Sequence, residues 1–348
     1  MSGSQDPAGG AGGTSDRVAF PRTAVVLGCV SFLLFAGCSR YEDFTLQRIT
    51  GGNPNNLTFR FEEHPGPVLR RDREHDVLNP SLAAGHNFYS LFDGHTWHTG
   101  HAVLKDAVWE KTGIILSPDA RTWEGSYIAA NGAALYTGGR FWIWYVAGPR
   151  ERPSIGLARS PDAQTWSKEA QAVLDPGPYE SWDEYGVADP YVIRMGDYFY
   201  LYYLGQDRAR RQRLGVARST DGIHWMKLRS NPMLEPGGSG AFDENGLGEP
   251  AVWISHGFYW MLYTGRDTGE MRRLGLARST DGVHWTKLPV VFSGSQAWDS
   301  KVMCDPEVEL NGTEIRVWFG GGDVARPDEN LNGQIGFGLL RITRAAKQ

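Results

Sequence analysis

Short apolar runs rich in aromatic and aliphatic residues recur along the chain, each closed by a Gly- or Asp-containing turn, the pattern of strands joined by hairpins. One such run is FWIWY at 141–145, and three others are nearly identical: IGLAR at 155–159, LGVAR at 214–218 and LGLAR at 274–278. A heptapeptide follows each of the three, namely Ser160-Pro-Asp-Ala-Gln-Thr-Trp166, Ser219-Thr-Asp-Gly-Ile-His-Trp225 and Ser279-Thr-Asp-Gly-Val-His-Trp285. Ser117-Pro-Asp-Ala-Arg-Thr-Trp123 reads as a fourth copy. Strand, Asp-Gly turn and a strand opening on Trp make a hairpin. A structural turn is the expected role of all four copies, with their Trp side chains packing between repeats.

A second unit recurs out of phase with the first. Trp182-Asp183, Phe242-Asp243 and Trp298-Asp299 stand at the same offset before Asp189-Pro190, Glu249-Pro250 and Asp305-Pro306. Each acidic residue opens a strand, and an aromatic strand follows, ending fourteen positions on at Tyr203, Tyr263 and Phe319. Asn131 and Asn79-Pro80 start the same pattern earlier, so five units open at 79, 131, 189, 249 and 305, in steps of 52, 58, 60 and 56. Units of four strands repeated radially predict an all-β fold, a five-bladed β-propeller of four-stranded blades around a central funnel. The fifth unit lacks a last strand, and Leu57–Glu62 is expected to supply it. In such a ring the five strand-opening residues Asn79, Asn131, Asp189, Glu249 and Asp305 converge at one mouth, and the Ser-x-Asp hairpins lie at the other.

The N-terminal 38 residues read differently. Residues 1–16 are Gly/Ser-rich, and Arg17 and Arg22 precede an apolar run from Thr23 to Ala36 that is too short for a comfortable bilayer span but suits a secretion signal. The run ends Leu34-Phe35-Ala36-Gly37-Cys38, which resembles a bacterial lipobox. This implies lipidation of Cys38, a membrane partner through that anchor, and a place in the bacterial cell envelope. The expected organisation is 1–38 leader, 39–56 linker and 57–348 propeller. Of three cysteines only Cys304 remains in the propeller, which leaves no intramolecular disulfide.

Composition narrows the function. With 35 Lys+Arg against 40 Asp+Glu and a net charge of −5, the chain lacks the basic balance of a nucleic-acid binder. Carboxylates converging in a pocket shift one another's pKa, the arrangement acid/base catalysis uses, although Asp-Pro is also an ordinary strand-entry turn. A bare turn does not favour the longer acid found at Glu249.

On these motifs and spacings the chain from about residue 57 resembles the five-bladed propeller glycoside hydrolases of families 43, 62, 32 and 68. The resemblance implies that Glu249, in Leu-Gly-Glu-Pro-Ala-Val, is the acid, and that Asp189, in Val-Ala-Asp-Pro-Tyr-Val, tunes its pKa and contacts the sugar. It departs from the pattern at the first blade, where Asn79 stands in place of the expected carboxylate; an amide cannot take a proton from water. Asp76 or Asp93 is the expected substitute base, with Asn79 orienting a water or hydroxyl. Phosphate acting without a base, as in related propeller phosphorylases, and sugar binding without cleavage are the alternatives.

The remaining candidates line the mouth. Asn131, Asp305, Trp97, His98, Asp207 and Arg266 are expected to contact substrate, Trp97 by stacking on a sugar face. His86, His95, His98 and His101 crowd the first blade; sugar contact or exposure is the preferred reading over a metal site. The expectation is a monomeric, secreted glycosidase acting on arabinofuranosyl, xylosyl or fructosyl linkages of oligo- or polysaccharides, with no cofactor.

Overall fold

A computed structural model describes residues 40–326 and 328–344; Cys38 and the leader lie outside them. The five repeat units are five antiparallel sets of strands, of which the fourth and fifth are joined into one eight-stranded sheet by a parallel pairing of Arg272 with Val302. Blade 1 comprises Asp76–Leu78 continued by Leu82–Ala83, then His86–Phe92, Trp97–Lys105 and Val108–Leu116. Blade 2 comprises Ala129–Thr137, Arg140–Ala147, Ser154–Ser160 and Ser167–Lys168. Blade 3 comprises Gly186–Met195, Tyr198–Gln206, Gln212–Ser219 and Met226–Leu228. Blade 4 comprises Gly246–Ser255, Phe258–Arg266, Arg272–Ser279 and Thr286–Phe292. Blade 5 takes Val302–Asn311, Glu314–Gly322 and Gln334–Arg344 from the end of the chain and Leu57–Glu63 from its beginning. Leu57–Glu63 pairs antiparallel with Gln334–Arg344 over seven residues, so the ring is closed by the strand the sequence left over.

Every blade-to-blade interface carries its own buried apolar cluster. Phe88 and Leu116 of blade 1 meet Phe141 and Ile143 of blade 2, and Trp144 and Leu157 meet Phe199 and Leu201 across blades 2 and 3. Tyr202 and Val216 meet Tyr259 and Met261 across blades 3 and 4, and Trp260 and Leu276 meet Val317 and Phe319 across blades 4 and 5. Tyr89 and Leu91 meet Trp318 and Ile335, joining blade 5 back to blade 1. Alternating strand faces thus point at opposite neighbours, which is why both faces of the second strands are apolar.

The four Ser-x-Asp strings are turns, as expected, and three of them are the hairpins that follow a third strand. Asp221 Oδ1 accepts from the N–H groups of Ile223 and His224, Asp281 Oδ1 from those of Val283 and His284, and Asp162 Oδ1 from those of Gln164 and Thr165. Gly222 and Gly282 follow at φ 74°, a backbone that suits glycine. The fourth copy, residues 117–123, corrects the reading. It follows the outer strand Val108–Leu116 of blade 1, not a third strand, and so lies at the other mouth. Its Trp123 stacks beside Gly156 just as Trp182 does beside Gly215. Trp123-Glu124 is therefore blade 2's version of the Trp182-Asp183 unit, disguised by a Glu for Asp and one extra residue before Asn131.

That unit forms a repeated buried knot. Asp183 accepts from Tyr203 Oη at 3.1 Å and from Lys227 Nζ at 2.5 Å. Asp243 does the same with Tyr263 (3.2 Å) and Lys287 (2.5 Å), and Glu124 with Tyr145 and Lys168. The carboxylate comes from the inter-blade loop, the tyrosine from the second strand and the lysine from the fourth.

Residues 40–56, expected as a linker, are instead laid against the ring. Tyr41–Glu42 runs parallel to Met226–Leu228. Phe44 and Leu46 are buried, and the Leu46 and Ile49 N–H groups donate to the carbonyls of Asp281 and Thr280. The alternating apolar residues of this stretch cover the hairpin ends of blades 3 and 4.

Candidate functional site

All five strand-opening residues have left-handed backbones: Asn79 at φ 50°, Asn131 at 47°, Asp189 at 49°, Glu249 at 45° and Asp305 at 49°. In blades 2 to 5 the first strand's pairing skips two residues at this point, as between Ala188 and Tyr191 or Gly248 and Ala251. In blade 1 the strand is broken there. The bulge turns the opening side chain toward the axis. Asn and Asp tolerate this backbone; a glutamate does so rarely.

The five side chains form a ring around the axis. Asn79 Nδ2 donates to Asp305 Oδ1 (3.4 Å), and the Asn79 N–H donates to Asp305 Oδ2 (3.2 Å). Ser90 Oγ donates to Asn131 Oδ1 (2.9 Å) and lies 3.4 Å from Asn79 Oδ1. Asn131 Nδ2 donates to Asp189 Oδ1 (3.3 Å). Glu249 stands between the two aspartates, and its buried Oε2 has no hydrogen-bond partner.

Burial, then repulsion from Asp305 and Asp189, pushes Glu249 up to about 8. Burial and Asp305 raise Asp189 to about 6, against the pull of Asn131 and Arg266. Burial also raises Asp305, while Cys304, Arg272 and Asn79 favour its charged form. The three titrate as a coupled set. At neutral pH the arrangement holds a protonated glutamic acid beside ionisable aspartates, the division of labour that proton donor and acceptor require.

These groups face a cavity of about 410 Å³. Trp97, Asn131, Asp189, Glu249, Asp305 and Arg266 line it, as the sequence predicts. Trp97 is braced against Phe92, ring centres 5.0 Å apart. Asn79 lies behind Asp305, and Leu78 takes the wall beside it.

Other expected residues are elsewhere. Asp76 is buried, with Oδ1 accepting from the Gly333 N–H (2.8 Å) and Oδ2 from the Asn330 N–H (2.6 Å), so it pins the blade 5 loop rather than facing the cavity. Asp93 caps its own turn through the His95 and Thr96 N–H groups and meets His98. His98 is held between Asp93 and Ser117, outside the cavity lining. Asp207 ties its own loop, accepting from the Arg211 N–H and pairing with Arg213. His86 and His101 pair inside the blade 1 sheet, 2.8 Å apart. Among the described residues no three His, Cys, Asp or Glu side chains are grouped to hold a metal.

Gln206 lines the cavity beside Arg266, as the matching loops of blades 3 and 4 lead one to expect; Arg150, Arg210, Arg272 and Gln212 line it too, and the sequence reading missed them. Arg272 pairs with Asp328 at 2.7 Å, Arg210 with Glu151 at 2.6 Å, and Arg150 with Glu329 at 2.9 Å. A signal was present for two of them: Gln206 pairs with Gln212 across blade 3 as Arg266 pairs with Arg272 across blade 4.

Residues 86–242 match the family described as glycosyl hydrolases family 32 N-terminal domain. The chain is similar to an uncharacterized protein of Mycobacterium tuberculosis, 28% identical over 229 residues, 61% of this chain and 75% of that one. A probable sucrose-6-phosphate hydrolase of Psychromonas ingrahamii is 28% identical over 180 residues, 49% of this chain but only 31% of that protein. Among solved structures, the family 32 β-fructofuranosidase of Bombyx mori superposes with a TM-score of 0.58 at 17% identity, covering 84% of this chain and 63% of its own. The fold it shares is the five-bladed propeller.

Proposed function

We propose that this chain, which is similar to the five-bladed propeller glycoside hydrolases, is one of them and hydrolyses a terminal fructosyl linkage of short saccharides, with arabinofuranosyl and xylosyl linkages next in order. The observation that carries the reading is Glu249. Its carboxyl is protonated at neutral pH, it lies in the cavity, and one buried oxygen has no partner within the protein. A proton held there is available to a glycosidic oxygen, and Asp189 beside it helps to keep it in place. The preference for fructosyl follows from the family 32 match and from the name of the Psychromonas relative.

The test is hydrolysis of sucrose, 4-nitrophenyl α-L-arabinofuranoside and 4-nitrophenyl β-D-xyloside by the wild type and Glu249→Gln. Loss of the general acid is expected to lower turnover of sucrose by about 10²–10⁴-fold. Binding of sugar by the wild type with no release of product would overturn the hydrolase reading in favour of a glycan-binding propeller. The arginines of the mouth favour one second reading, in which phosphate attacks in place of water. A requirement for inorganic phosphate in the same assay, with a sugar phosphate as product, identifies it.

A further inference from the structure

We propose that Asp305 is the general base of this reaction, a catalytic carboxylate supplied by blade 5 beside the blade 1 position that Asn79 occupies. The assignment rests on the glycosidase reading above. It starts from what is missing: Asn79 has no basic oxygen for a water proton, because its amide lone pair is delocalised.

Elimination among the neighbouring carboxylates leaves few choices. Neither Asp76, whose oxygens are turned to the backbone of the blade 5 loop, nor Asp93, which caps its own turn, lines the cavity. Glu151 and Asp328 are rim residues engaged with Arg210 and Arg272. Asp189 and Asp305 remain, one on each side of Glu249.

Three observations favour Asp305. Its oxygens lie 3.2 and 3.4 Å from the nitrogens of Asn79, so its charge sits within one hydrogen bond of the vacated blade 1 position. Its anion is held by the Asn79 N–H, the Asn79 amide and the Cys304 S–H (3.1 Å), three donors against two on Asp189, the Asn131 amide and the Glu249 N–H. The amide at 79 is itself explained: a second carboxylate this close would force the two to share one proton.

The step balances as follows. Asp305 takes a proton from water as the water oxygen bonds to the anomeric carbon. The glycosidic C–O bond breaks toward the leaving oxygen, which takes the proton of Glu249. Asp305 leaves neutral and Glu249 leaves charged, and a proton passed back through solvent resets the pair. With water as the nucleophile and Asp305 as its base, attack comes opposite the leaving oxygen and the anomeric centre inverts.

The test uses Asp305→Asn and Asp305→Ala beside the wild type, with sucrose as substrate and sodium azide as the added nucleophile. Both variants are expected to lose about 10²–10⁴-fold in kcat with KM little changed. Azide is expected to restore turnover to Asp305→Ala, giving a glycosyl azide of inverted configuration, and to leave Glu249→Gln unrescued. Asp305→Asn keeps shape and volume, and its thermal midpoint checks that lost activity is not lost folding. If Asp305→Asn stays within tenfold of the wild type while Glu249→Gln is inactive, the base lies elsewhere and the glycosidase reading stands. Retention of configuration with a covalent ester at Asp305 overturns the base role in favour of a nucleophile. Phosphate-dependent turnover that survives Asp305→Asn overturns it too. A wild type inactive on every glycoside removes both.

Discussion

At φ 45° the backbone of Glu249 is strained for a residue with a Cβ, and no hydrogen bond from Oε2 compensates within the protein. Strain of this kind, on the order of 1–3 kcal/mol, persists where the surrounding structure imposes it, and it clusters at functional sites. The sign of Glu249's titration follows from its neighbours: burial, Asp305 and Asp189 hold the proton on, and Arg272 is the cation that loosens it. An acid must be protonated to act, so kcat/KM is expected to fall as pH rises through about 8. Arg272→Met removes the loosening charge, and the alkaline limb is expected to move to higher pH. Arg272 also favours the charged form of Asp305, so the acidic limb is expected to move the same way and the whole profile to shift upward. Arg272→Lys is expected to bring it back. pH–rate profiles of the three proteins decide the point; an unmoved profile in Arg272→Met would mean that the arginine does not set these protons.

Each of blades 2, 3 and 4 is held by one carboxylate, one tyrosine and one lysine, but the knots are not equally deep. Lys227 and Asp183 have side chains only 5% and 0% exposed, whereas Lys168 and Lys287 are about a quarter exposed. Removing one partner of a buried pair strands the other charge, at a cost of about 3–5 kcal/mol. Lys227→Ala is therefore expected to lose about that much in urea unfolding, and Lys168→Ala and Lys287→Ala less, because removing a side chain that reaches the surface lets water in to the carboxylate left behind. Equal losses in all three would show that burial does not grade these pairs. The knots also explain what sequence could and could not disclose. Period and strand order are legible because every blade repeats an aromatic second strand and a polar residue opening the first, and closure is legible because one strand lacks a partner. Trp123-Glu124 was misread because a chance Ser-Pro-Asp-Ala-Arg-Thr-Trp string ran into it. In the site, Asp189, Glu249 and Asp305 stand out at repeat positions. Asp76 stands only three residues from Asn79, yet its oxygens are taken by the backbone of the blade 5 loop, distant in sequence. Arg150 sits on a loop whose course no repeat dictates, and Arg210 occupies in blade 3 the loop position that Glu270 occupies in blade 4, so the repeat marks the place but not the residue.

The ring is closed by strands from opposite ends of the chain, and there the knot changes its chemistry. Leu57–Glu63 pairs Glu63 with Gly338, the register that pairs Lys287 with Ala277 in blade 4 and Lys227 with Ala217 in blade 3. Asp299 stands where Asp183 and Asp243 stand, and Phe319 replaces the tyrosine, so a carboxyl faces Glu63 where the other blades set a lysine. Burial and Glu63 push Asp299 up to about 7, against about 4 for an aspartate in an unfolded chain. The folded protein therefore keeps a proton that the unfolded chain releases between about pH 4 and 7. Stability from this group is fully present below that window and lost as pH rises across it. Glu249, Asp189 and Asp305 tilt stability in the same direction, so the readout is a difference between proteins. From pH 4.5 to 7.5 the urea midpoint of the wild type is expected to fall further than that of Asp299→Asn, which has no proton to lose. Glu63→Lys supplies the lysine the other blades have and is expected to raise the midpoint at pH 7.5 and flatten the fall. Wild type and Asp299→Asn falling in parallel would mean that the two carboxyls do not share a proton and that closure is indifferent to pH. A larger fall in the wild type would show that the seam between the chain ends holds a shared proton and gives up stability as pH rises.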